Sequence, residues 1–196
     1  MARQGPRGPR GDVAERIRDA ARTSFATDGY AGTTMQGIAR SAGVDTKLIR
    51  YYFTDKETLF AECLVLPPEF IARVRAASAS PIEHRGEELV RTLVWAWGTP
   101  EIAVVLRTSI LVAGHSSRAL ALVKTAFVAS LVPAIMEGIP APERQARAGF
   151  VATQMLGLGL ARYILEAEQI ADVPDDDVVA VIGATVQRYL SGPLRP

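Results

Sequence analysis

The sequence predicts an all-α protein in two parts: a small three-helix unit at the N-terminus, then a larger helical unit. Apolar residues recur at three- and four-residue spacing along most of the 196 positions, and no alternating run is long enough for a convincing strand. Pro and Gly fall between these runs, at Gly29, Gly43, Pro67-Pro68, Pro81, Gly98-Thr99-Pro100, Gly114, "EGIPAP" and "DVPDDD". Hydrophobic side chains make up 48% of the chain, enough for a sizeable core, and the 22% charged fraction argues against wholesale disorder.

Residues 1–11, "MARQGPRGPRG", read as a flexible basic arm, because Gly and Pro block regular structure and Arg3, Arg7 and Arg10 stay available to an anionic partner. A first helix follows. Asp12 and Glu15 have capping-box spacing, Val13, Ile17, Ala21, Ser24 and Phe25 share one face, and Gly29 stops it. A second starts in "TTMQGIAR", with Thr33 and Gln36 as its box, Ile38, Ala39 and Ala42 as its inner face, and Gly43 at the corner. Asp45 caps a third helix running to about Tyr52. In it Val44, Ile49 and Phe53 face the first two helices and Thr46, Lys47, Arg50 and Tyr51 face out. "TDKETLF" starts a fourth, with Thr54 as cap, Glu57 completing the box, and Leu59, Phe60 and Cys63 as the apolar side. Beyond Pro67-Pro68, helices are expected over 69–79, 84–98, 100–114, 116–136, 142–167 and 174–190. Pro174 takes a first helical position in the last of these, with acids favouring the dipole behind it.

The formal net charge of +1 hides an asymmetry. Residues 1–60 hold ten basic and seven acidic side chains, and the rest holds twelve basic and fourteen acidic. Two short helices joined by a Gly-containing turn, the second with a polar outer face, read as a helix-turn-helix. A helix fits the B-DNA major groove, where Lys47 and Arg50 can donate to guanine acceptors or phosphates. Tyr51 and Tyr52 can bond phosphate through their hydroxyls, and Lys56 can reach the flanking backbone.

"TTMQGIARSAGVDTKLIRYYFTDKETLF" resembles the DNA-binding segment of the tetracycline-repressor (TetR) family of bacterial transcription regulators. The shared pattern is Thr34, Ile38-Ala39, Ala42-Gly43-Val44, Tyr52-Phe53 and Lys56-Glu57-Thr58-Leu59, within a match over about residues 12–64 and a motif at about 34–53. The resemblance implies that Gln36, Thr46, Lys47, Arg50 and Tyr51 face bases or nearby backbone, and that Thr34, Tyr52 and Lys56 hold phosphate. Many members carry a Ser, a Gly-Thr pair and a Tyr along the recognition helix, where this chain has Asp45, Lys47-Leu48 and Arg50, so an operator does not transfer from another member. The resemblance further implies a cytoplasmic homodimer, a repressor on a palindromic operator, with residues 65–196 as a helical ligand-binding and dimerisation domain.

That second part offers no convergent catalytic set. His84 and His115 lie outside any metal-binding spacing, "DVPDDD" lacks a calcium-loop pattern, "GLGLAR" sits mid-helix rather than after a strand, and Cys63 is on an apolar face. The competing expectation, a helical enzyme or binding module whose helix-turn-helix is only structural, finds no motif here. No cofactor and no metal are expected. The N-terminus does not read as a signal peptide, and the apolar windows at 102–114 and 150–165 are interrupted by Arg107, Gln154 and Arg162, so no membrane span is expected.

Trp97, Arg107, Phe127 and Met155 are the candidate ligand contacts. Trp95 and Trp97 differ by about 200° around a helix, so at most one enters a cavity. Arg107 stands on an otherwise apolar helix, where an unpartnered guanidinium is costly. Its expected partner is Glu166, Glu88, a carbonyl, water or the ligand, and the expected effector is mostly apolar with one polar or anionic group. Leu156, Leu160, Tyr163 and Ile164 form one candidate dimer stripe; Val178, Ile182, Thr185 and Tyr189 form a second.

Overall fold

A computed structural model of the chain describes residues 10–113 and 117–194. Among these, every regular element is helical: α1 (Arg10–Gly32), α2 (Met35–Ala42), α3 (Thr46–Tyr52), α4 (Lys56–Cys63), α5 (Pro68–Ala79), α6 (Arg85–Gly98), α7 (Pro100–Ala113), α8 (Ser117–Ile135), α9 (Ala141–Leu158), α10 (Glu168–Ala171) and α11 (Asp175–Ser191). A 3₁₀ turn, Ile82–His84, precedes α6, and a π-helical turn, Gly159–Ile164, continues α9. Most of the basic arm expected over 1–11 lies outside the described residues, as does His115.

The helix ends refine the sequence reading. α1 already runs at Arg10, so Asp12 lies inside it rather than capping it, and Glu15 pairs with Arg18 and Arg22 instead of closing a box. These guanidiniums hold the Glu15 carboxyl below its ordinary value, Arg18 most of all. Gly29 breaks α1 with φ +69°, a conformation cheap only for glycine, and one further turn carries the chain to Gly32. The α2 cap is Thr34, whose Oγ1 accepts from Gly37 N at 3.0 Å, while the expected cap, Thr33, donates back to Gly29 O at 2.7 Å. Asp45 caps α3 as expected; Asp55, one residue beyond Thr54, caps α4 by accepting from Thr58 N at 2.7 Å.

The first four helices share one core, in which Ile17, Phe25, Ile38, Ile49, Phe53 and Phe60 are fully buried. Cys63 belongs to it, and burial pushes its thiol up to about 12, so it is packed rather than reactive. A second core joins α5 to α11. Its spine is the pair α6 and α11. A Cβ on Gly86 would lie 2.3 Å from Gly183 O, and one on Gly183 would lie 2.8 Å from Glu87 Cα. Gln187 bridges the contact, accepting from Gly86 N at 2.9 Å and donating to Ile82 O at 2.7 Å. α5 packs on α6 and α8, and α9 on α11. α7 leaves α6 at 99° and runs against α1, joining the two units.

The helix expected over 142–167 runs as α9 and the π turn to Ile164 and ends before Glu166, at φ +48°, with α10 a separate turn beyond it. Pro174 stands at the cap of α11 rather than inside it, and Asp175, Asp176 and Asp177 fill the first turn. Among the described residues no single helix is long and apolar enough to cross a membrane.

Gly86→Ala is expected to lower stability by at least about 1–3 kcal/mol, because the obstacle to the methyl group is backbone and cannot rotate away. Urea denaturation measures this; wild-type stability in the variant would mean that α6 and α11 do not meet this closely.

Candidate functional site

Gly43, at φ +65°, and the Asp45 cap set α3 immediately after α2. Ile49 and Phe53 are buried beneath it, so the opposite face of α3 must look outward. Lys47, Arg50 and Tyr51 are exposed there, Tyr51 by 70%. Thr46 and Tyr52 are half-buried, and the Tyr51 and Tyr52 rings meet edge-on at 5.3 Å. Thr34 and Gln36 are exposed at the start of α2. The surface thus groups two cations, two phenols, an amide and two hydroxyls, a donor-rich set suited to phosphate and to guanine or adenine edges.

Lys56 behaves differently from the simple expectation. Its Nζ donates to Tyr30 O at 2.7 Å and to Thr33 O at 2.9 Å, and lies 4.4 Å from the centre of the Tyr30 ring. Two of its three donors therefore hold the segment between the Gly29 break and the α2 cap. The lysine that begins α4 positions the start of α2 and keeps one N–H for any other acceptor.

In the second unit a cavity of about 510 Å³ lies among α5 to α9. That volume is within the roughly 300–1,000 Å³ of small-molecule sites. Trp97, Phe127 and Met155 are on its wall, with Phe70, Leu106 and Leu131. Trp95 is not; the Arg73 guanidinium covers its ring at 4.4 Å. Arg107 is not on the wall either. Its Nη2 donates to Tyr163 O at 2.7 Å, and its guanidinium stands 5.9 Å from the Trp97 ring. Its partner is a carbonyl, not Glu166 or Glu88, because the π turn brings that carbonyl across the end of α6. Trp97 stacks on Tyr163 at 4.8 Å with 3° between the rings, and Gly159 admits the indole, since a Cβ there would be 3.1 Å from Cζ2. The Tyr163 hydroxyl is buried without a hydrogen-bond partner, and burial raises its pKa. The sequence reading missed Lys124, the charged member of the wall. Its signal was a lysine inside "LALVKTAFVASL", four residues from both Leu120 and Val128.

The expected dimer stripes divide. Val178 is 1% exposed and belongs to the core, because the start of α11 is covered by α6. Leu156 and Leu160 line the edge of the cavity and are exposed as the stripe requires, whereas Tyr163 is stacked on Trp97 and Ile164 is half-buried against the core. Ile182, Thr185 and Tyr189 lie half-buried on the flank of α11, where Tyr189 stacks on Phe150 at 5.2 Å. The outer surface of the two helices is formed by Phe150 and Val181, 44% and 67% exposed, with the small, exposed Ala146, Gly149, Ala180 and Ala184.

Residues 17–63 match the bacterial regulatory proteins of the tetR family, and residues 83–190 match the tetracyclin repressor-like C-terminal domain. Among solved structures, the chain is similar to a TetR-family regulator from Streptomyces coelicolor A3, at 28% identity, with 96% of this chain and 99% of that one covered and a TM-score of 0.70. It shares its fold with the multidrug binding protein EbrR complexed with imidazole, at 23% identity, coverage of 99% and 100%, and a TM-score of 0.68. The same holds for the fatty acid degradation regulator FadR from Bacillus halodurans, at 20% identity, coverage of 97% and 99%, and a TM-score of 0.66. No curated protein matches the sequence.

Lys56→Met is expected to cost about 1–3 kcal/mol, since it strips two carbonyls of a charged donor. Lys47→Met, on the exposed face, is expected to stay within about 0.5 kcal/mol of wild type. Equal denaturation midpoints for the two variants would contradict the positioning role of Lys56.

Proposed function

The chain belongs to the tetR family of bacterial regulatory proteins, DNA-binding regulators of transcription, and from that premise we propose a ligand-responsive repressor that binds a palindromic operator as a homodimer. The observation that carries the reading is the outer face of α3, where Lys47, Arg50 and Tyr51 stand exposed directly after the Gly43 corner.

In this reading α3 enters the major groove. Arg50 and Lys47 donate to guanine acceptors, and Thr46, Tyr51 and Gln36 contact bases or adjacent backbone. The Thr34 hydroxyl accepts at the α2 cap and keeps its proton for a phosphate, and Tyr52 donates to the same strand. Lys56 adds its remaining N–H to the phosphate backbone while it holds the α2 start in place.

Two copies meet through the outer faces of α9 and α11. The small residues Ala146, Gly149 and Ala184 let helices approach, and Phe150 and Val181 supply apolar area. A two-fold pair places two α3 helices about one DNA turn apart, roughly 34 Å, and so demands a symmetric site. An effector in the cavity favours a form whose two reading helices are wrongly spaced. The names of two structural relatives, a multidrug binding protein and a fatty acid degradation regulator, support a small organic effector.

Selection of genomic fragments on the purified protein yields the operator, and anisotropy titrations then test the contacts. Arg50→Ala is expected to lose about 1–3 kcal/mol at the operator and to relax base preference at one position of each half-site. Wild-type affinity in that variant would remove α3 from the groove. Val181→Glu is expected to convert the dimer to monomer in light scattering at micromolar concentration; a wild-type mass of one chain would end the two-half-site scheme.

A further inference from the structure

We propose that the cavity takes an apolar monocarboxylate, with its anionic group at Lys124 on the rim and its apolar body against Trp97, and that it rejects lipophilic cations. The inference rests on the ligand-responsive reading and gives it a chemistry.

The wall is almost wholly apolar, with Phe70, Val74, Leu89, Trp97, Leu106 and Leu131 buried at its floor. Among the described residues no Asp, Glu or His lines it, so a cation carried inside meets no counter-charge from them. The polar wall atoms offer little else. Ser109 donates its hydroxyl proton to Val105 O at 2.7 Å, and Thr92 is buried within α6. Among the described residues, Lys124 is the one charged residue of the wall. It is exposed on α8 between Leu120 and Val128, which are 40% and 58% exposed, so these three mark the rim. Among the described residues no carboxylate pairs with Lys124.

A second cation reinforces the sign. Arg107 stands behind Trp97 with its guanidinium 5.9 Å from the ring. It is fixed to Tyr163 O and so cannot reach a ligand head, but its charge acts on the inner end of the cavity. Positive charge at the inner end and at the rim, apolar walls between them and no acid among the described lining residues together select an anion with a hydrocarbon body.

The test uses the full chain without DNA, in a Trp95→Phe background that leaves Trp97, the indole on the wall, as the sole tryptophan. Fluorescence titrations with decanoate, decanol and decyltrimethylammonium give three affinities. Decanoate is expected to bind at least tenfold more tightly than the ammonium. Octanoate and dodecanoate are expected to shift affinity by about fourfold per methylene. Lys124→Met is expected to bring decanoate down to the level of decanol while leaving decanol unchanged. Equal binding of the ammonium and the carboxylate, no binding by any of the three, or an unaltered decanoate affinity in Lys124→Met would each overturn the proposal. Operator release is followed separately by anisotropy. Decanoate that binds with the expected Lys124 dependence but leaves the DNA complex intact upholds the ligand class and refutes the ligand-responsive reading alone.

Discussion

The contact of Gly86 with Gly183 is the constraint on which the second unit depends. The two backbones are so close that neither position admits a methyl group, and Gln187 replaces a side-chain interface with hydrogen bonds to α6 and the turn before it. That proximity fixes the orientation of α6. With Gly86 and Val90 turned to α11, Leu89, Thr92, Leu93 and Trp97 face the cavity. It equally fixes α11, whose far side then carries Val181, Ala184 and Arg188 outward. One pair of helices thus supplies a cavity wall on one side and an apolar outer surface on the other.

Two arginines hold α9 and its continuation against that pair. Arg147, buried, donates to Tyr189 O and Gly192 O at the end of α11 and pairs with Glu143. These are carbonyls that a helix end leaves without partners. Arg162, also buried, donates to Val173 O and to Asp175 at the opposite end of α11. Between them the π turn swings Tyr163 onto Trp97 and its carbonyl onto Arg107. The cavity's inner end is therefore built from three elements, α6, α7 and the π turn, that meet at one stacked pair of rings.

The α2–α3 corner and its exposed face are legible from sequence because their determinants are local. Gly43, Asp45 and the spacing of Ile49 and Phe53 dictate the corner, the cap and the buried face within ten residues of each other. The caps at Thr34 and Asp55 were displaced by one position because each has a second capping residue beside it, and tertiary packing chooses between the two. Lys56 and Arg107 are harder. Sequence marks Arg107 as a side chain in need of a partner and Lys56 only as a phosphate contact, yet both donate to main-chain carbonyls 23 to 56 residues away, which no side-chain pattern records. Val178 fell in the wrong group for a related reason: helical spacing gives a stripe but does not say which neighbour covers it. The π turn left only a weak trace, the glycine at 159 that makes room for an indole.

On the proposed ligand-responsive reading the cavity must do more than bind, because a ligand with equal affinity for two states shifts neither. Moving a population from about 1:99 to 99:1 takes roughly 5.5 kcal/mol of differential affinity. At about 0.8 kcal/mol per buried methylene, that is roughly seven methylenes covered in one state and uncovered in the other. The difference must arise on a wall that can move. α7 places Leu106, Ser109 and Ile110 on the cavity and runs against α1, so on that reading it is the wall whose displacement also reaches the first unit. Arg107 ties α7 to the π turn through a single carbonyl. A shift of α7 must break that bond or draw the π turn with it.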